Sequence, residues 1–145
     1  MPPLEVQMTF PRLALALAIV LPAAGLAHGA PAGGIDLEKE YSREYARCLS
    51  SGDAARGVTP AMAGCINAEL VRQDRRLNVA YAAAMKTRGP KAKIALRDVQ
   101  RRWIRDRDSE CAANLTGGTI DRIEQPACHL AATTTRAVEL ERMAR

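Results

Sequence analysis

Apolar residues recur along most of this chain at intervals of three and four, the period of one helix face, and strict apolar/polar alternation of the strand type is missing. Four segments carry the pattern. The first, DLEKEYSREYARCL (36–49), places Leu37, Tyr41, Tyr45 and Cys48 on one face, with Asp36 as its cap and SSGD as its stop. Thr59-Pro60 reads as an N-cap followed by proline at the first helical position, opening a long second helix that TRGP breaks after about Lys86. A third runs from about Lys91 to Ala113. NLTGGTIDRIEQPA is rich in turn residues and reads as a loop, and CHLAATTTRAVELERM forms a last helix from Cys128. The fold class is all-α: a small bundle of about four helices.

Two of these helices carry a polar residue where the stripe calls for an apolar one. At about 100° per residue, Ala92, Leu96, Val99, Trp103 and Arg107 share a stripe of the third helix, with Gln100 at its edge. In the second helix, Asp74 falls within the stripe of Ile66, Leu70, Leu77, Tyr81 and Ala84, beside Asn78. A buried charge is tolerated when paired and hydrogen-bonded. The expectation is therefore a structural polar pin: Asp74 meets Arg107 across the hairpin of helices two and three, Asn78 and Gln100 satisfy the remaining donors and acceptors, and Trp103 packs beside them.

The N-terminus has a different pattern. Arg12 precedes an apolar run from Leu13 to Leu21, followed by small residues with Gly25-Leu26-Ala27 as a cleavage tripeptide, the three-part plan of a secretory signal peptide. Pro22 and Gly25 interrupt the run, which is short for a membrane span. Residues 1–27 are read as a signal peptide, 28–35 as a flexible leader and 36–145 as the helical domain. About 118 residues then remain, one domain's worth. The expected location is the periplasm or the exterior, with no stable membrane anchor, since no cysteine stands at the cleavage region for lipidation.

Export changes the meaning of the four cysteines, Cys48, Cys65, Cys111 and Cys128. In an oxidising compartment an even count implies disulfides, with three possible connectivities. Zinc sites usually use closely spaced cysteine pairs, and neither CxxC nor CxxCH occurs, so no metal and no cofactor is expected. In an up-and-down bundle all four cysteines lie at one pole, so geometry also permits crossed pairing. Loop length favours Cys48–Cys65 and Cys111–Cys128, the two equal 17-residue separations, because short loops close at lower entropic cost.

The net charge of +5 belongs to the mature domain, because Glu5 and Arg12 cancel within residues 1–27. Nucleic acid is not the expected partner: the chain is exported, and its arginines are interleaved with acids, as in RDVQRRWIRDRDSE. Nor is catalysis. Of two histidines, His28 lies at the expected mature terminus and His129 has no partner at a recognisable spacing. No GxSxG, HExxH or Gly-rich phosphate loop occurs, and no catalytic residue is assigned.

The ordered residues nevertheless form a recognisable series: Cys65 with Glu69-Leu70, then Asp74, Leu77-Asn78 and Tyr81, then Gln100-Arg101, Trp103-Ile104, Arg107-Asp108 and Cys111. Gly117-Gly118-Thr119, Cys128, Thr133, Arg136 and Leu140 complete it. The pattern CxxxEL…DxxLNxxY…QRxWIxxRDxxC…GGT…CxxxxTxxRxxxL, from about Tyr45 to Leu140, resembles the LprI-type lysozyme inhibitor family. The resemblance implies a secreted, disulfide-bonded helical bundle of bacterial envelopes, with lysozyme or another envelope or host protein as partner. The family's named activity comes from a lipid-anchored member, whereas this chain has no lipobox cysteine. A binding module of the envelope with no action on lysozyme is the alternative.

Mass spectrometry of the exported protein should find a mature terminus between His28 and Gly33. An intact N-terminus in the cytosolic fraction is the contrary result.

Overall fold

The computed structural model describes residues 34–113 and 115–145, so the signal-peptide reading and most of the leader lie outside the described residues. Among the described residues six helices follow in order: α1 (Leu37–Glu40), α2 (Arg43–Leu49), α3 (Gly52–Ala55), α4 (Thr59–Lys86), α5 (Pro90–Ala113) and α6 (Asp121–Ala144). Among the described residues there is no strand, and no helix is long and apolar enough to cross a membrane. The three long helices form the body of an all-α bundle, and the three short ones pack along α4 and the C-terminal part of α6.

α6 is the central element. It buries Leu130, Thr133, Thr134, Ala137, Val138 and Leu140, and its backbone runs close to α4 over much of its length. The two helices are parallel: Ala63 and Leu70 of α4 lie by Asp121 and Gln125 of α6, and Arg76 by Glu141. Alanines make this approach possible. Ala80 and Ala84 meet Ala137 and Leu140 in a core completed by Leu77 and Leu96. α5 returns antiparallel to α6, pairing Gln100 with Arg136 and Arg107 with Thr133. Larger side chains separate it from both neighbours, and it stands further off than α4 does.

The first predicted helix is two helices in the structure. Ser42 breaks it in extended backbone, accepts from the Tyr45 amide through its hydroxyl, and so caps α2. The cause of the break lies in α4. Glu69, with no exposed surface, accepts from the Ser42 amide at 3.0 Å, the Ser42 hydroxyl at 2.5 Å and Gln73 Nε2 at 2.8 Å. Gln73 Nε2 also donates to the Glu40 carbonyl, which ends α1. A continuous helix would keep the Ser42 amide within its own ladder, so the buried carboxylate and an unbroken α1–α2 are incompatible.

α6 begins seven residues before Cys128, so the predicted loop is largely its first turns. Pro126 lies inside the helix. Asp121 organises this start, accepting from the amides of Thr116 and Gly117 and from the Thr116 hydroxyl, and these bonds hold its carboxyl below the usual range. Gly117 has a φ of 80°, a left-handed conformation that a side chain would strain.

Disulfides join α2 to α4 through Cys48–Cys65 and α5 to α6 through Cys111–Cys128, with Cα separations of 5.7 and 5.6 Å. In the chain-entropy picture each 17-residue closure stabilises the fold by roughly 3 kcal/mol. Arg76 fastens the opposite end of the N-terminal segment: it bonds Glu141 at 2.6 and 2.8 Å and pairs with Glu40 at 2.7 Å.

Two measurements check this account. Glu69→Ala leaves the two half-buried Ser42 donors and one N–H of the buried Gln73 without their acceptor and should destabilise the protein by about 3 kcal/mol. Asp74→Ala, on the exposed side of α4, should change stability by about 0.5 kcal/mol or less, and equal losses would contradict the burial pattern. The Arg76 guanidinium holds Glu141 below its ordinary range. A depressed carboxylate stabilises the fold above its unfolded pKa, about 4.3, and the gain is lost as pH falls through the folded value. The urea-midpoint penalty of Glu141→Gln should therefore be present at pH 7 and shrink towards zero near pH 3.

Candidate functional site

The residues expected to form a polar pin do converge, but on a groove rather than in the core. α4 and α5 diverge above α6 and leave a concavity of about 370 Å³ between them. Asp74, Asn78 and Tyr81, spaced one and two turns apart, form the α4 wall; Arg97, Arg101 and Ile104, at the same spacing, form the α5 wall. Leu77, Gln100, Trp103 and Arg107 line it between these walls.

Asp74 and Arg107 face this groove without forming an ion pair, which corrects the expected pin. Asp74 is exposed and accepts from Asn78 Nδ2 at 3.3 Å. Arg107 donates to its neighbour Asp108 at 2.9 and 2.8 Å, reaches Thr133 Oγ1 at 3.4 Å, and lays its guanidinium 5.0 Å from the Trp103 ring centroid. The physical reason is the position of α6. It takes the core contacts of both α4 and α5, so these two helices do not close on each other as a tight hairpin.

The buried stripes are also turned relative to the predicted ones. On α4 the buried face runs through Ile66, Glu69, Gln73, Leu77, Ala80 and Ala84 and leaves Asp74 to one side. On α5, Gln100 is buried, whereas Val99, placed in the predicted stripe, is 39% exposed. Gln100 accepts from Arg136 Nε at 2.9 Å.

Arg136 stands beside Gln100 and Trp103 but was not among the residues expected at the pin. It is 6% exposed, its Nη1 donates to Glu139 at 2.8 Å, and its guanidinium carbon lies 6.0 Å from the Trp103 ring centroid. Its Nη2 is buried without a hydrogen-bond partner. Two guanidiniums thus lie within 6.0 Å of the Trp103 ring centroid, at distances suited to cation–π attraction. The available signal was Arg136 among the apolar residues of the last helix, but no acidic residue at a partner spacing on α5 pointed to it. The groove lining offers guanidinium, amide, carboxylate, phenol and indole groups, a set suited to recognition.

Among the described residues no cluster of histidine, cysteine and acidic side chains could hold a metal ion. Near the disulfide, His129 Nδ1 lies 3.8 Å from Asp108, a longer contact than the Arg107–Asp108 bonds.

The family described as lysozyme inhibitor LprI matches residues 38–140, which contain the four cysteines, both groove walls and Arg136. No curated protein and no solved structure matches the chain. Two disulfides and this match mark an extracytoplasmic protein. The match covers most of the chain: the protein belongs to the LprI lysozyme inhibitor family.

Proposed function

We propose that this chain is exported, to the periplasm or beyond the cell, and there binds and inhibits a lysozyme without catalysing a reaction. The observation that carries this reading is the family match over residues 38–140. The stapled helices support it physically, since a bundle held by two disulfides presents a preorganised surface and loses little entropy on binding. The groove supports it chemically, because its side chains suit the recognition of a partner's groups better than nucleophilic attack.

Charge narrows the partner. The chain carries a net +5, so a strongly basic lysozyme meets it with long-range repulsion that slows encounter. A lysozyme with an acidic or near-neutral surface is the better electrostatic match. An envelope or host protein other than lysozyme is the second reading, and the same basic surface favours it.

Lysis of cell walls by lysozymes of graded surface charge should be followed by turbidity, with and without the purified mature protein. Inhibition near equimolar ratio is expected for the acidic or neutral enzymes, weaker for the basic ones, and deepening for the latter as salt screens repulsion. Failure to slow any of them would remove the inhibitor reading and leave the second.

A further inference from the structure

We propose that the groove between α4 and α5 is the docking surface, and that it takes a segment of a protein partner bearing a carboxylate next to an apolar side chain. This deepens the inhibitor reading by naming the face and the chemistry it selects.

The case begins with an imbalance of free polar groups. Arg97 and Arg101, four residues apart on one face of α5, are exposed, and neither forms an ion pair among the described residues. Other groups of the groove are already engaged. Arg107 is held by Asp108 and Gln100 by Arg136, while Asp74, exposed on the α4 wall, accepts one 3.3 Å bond from Asn78 and sets a single negative charge against the two arginines. The Trp103 indole N–H and the Tyr81 hydroxyl have no hydrogen-bond partner among the described residues. What remains is rich in donors and positively charged. A carboxylate is the protein group that matches it, accepting two parallel bonds from a guanidinium.

The shape and the apolar lining complete the specification. Asp74 to Tyr81 spans two helical turns, about 10 Å, which fits roughly three residues of extended chain. The cavity of about 370 Å³ is at the small end of ligand sites and holds a few side chains. Ile104, 41% exposed, and half-buried Trp103 provide the apolar contact beside the arginines, over the buried Leu77.

The test compares Arg97→Glu/Arg101→Glu with Lys91→Glu/Arg102→Glu, exposed residues of α5 outside the groove lining that give the same change in net charge. Helical content of each variant is checked by circular dichroism. Against a lysozyme that the wild type inhibits, the groove variant should bind at least 30-fold more weakly and the control within threefold. Equal losses, or an unaffected groove variant, overturn the groove while the inhibitor reading stands. A second probe works without lysozyme: a blocked, tryptophan-free peptide of alternating glutamate and leucine, titrated against the fluorescence of Trp103, the chain's only tryptophan. A saturable change in wild type and control, lost in the groove variant, supports the groove even if no lysozyme is inhibited. No change in the wild type, together with no lysozyme bound, overturns both readings.

Discussion

The close parallel packing of α4 on α6 is the contact on which the other arrangements depend. Ala80, Ala84 and Ala137 keep the facing surfaces small, so the two backbones approach along their length. Two parallel neighbours need a return between them, and α5 is that return. Its inward side chains are Leu96, Gln100, Trp103 and Arg107, which are bulkier than alanine and hold it away. The groove is the consequence. It is the space left when one helix pair packs through alanines and the third helix packs through an indole and guanidiniums.

Buried polarity is distributed according to the same geometry. On one flank of α4, Glu69 and Gln73 fold the short α1 and α2 against the bundle, and Arg76 ties both Glu40 and Glu141 to that flank. On the α5 side, Arg136 joins α6 to Gln100 and lies beside Trp103. Each network brings together separate chain segments, so each specifies a relative position that apolar burial alone leaves loose. Removing one member exposes the others to unmatched burial, which makes these positions more sensitive than the exposed arginines of α5.

The disulfides leave the groove walls free of each other. One bridge links α2 to α4 and the other α5 to α6, so no disulfide spans α4 and α5, which are joined by the backbone of residues 87–89 at one end. The width of the groove is set by the packing of both helices on α6, with the short 87–89 connection at one end and the Cys111–Cys128 bridge at the other.

Local chemistry made much of this legible before the fold was known. The three- and four-residue spacing of apolar positions settled an all-α chain, Thr59-Pro60 and TRGP marked the ends of α4 although Val58 rather than Thr59 is its N-cap, and the ordered series from Cys65 to Leu140 pointed to the family. These features act within a few turns of helix or along the order of the chain, so one dimension is enough to read them. The direction of each buried stripe was decided in three dimensions. Glu69 looks like a surface residue in a helical sequence and is buried because Ser42, 27 positions away, offers it two donors. Asp74 looks misplaced within an apolar stripe and is exposed because α4 turns its buried face to α6 and leaves Asp74 on the wall of the open groove. Which helix lies between which is a property of packing volumes, alanine against alanine or tryptophan against arginine, and those are compared only when distant segments meet.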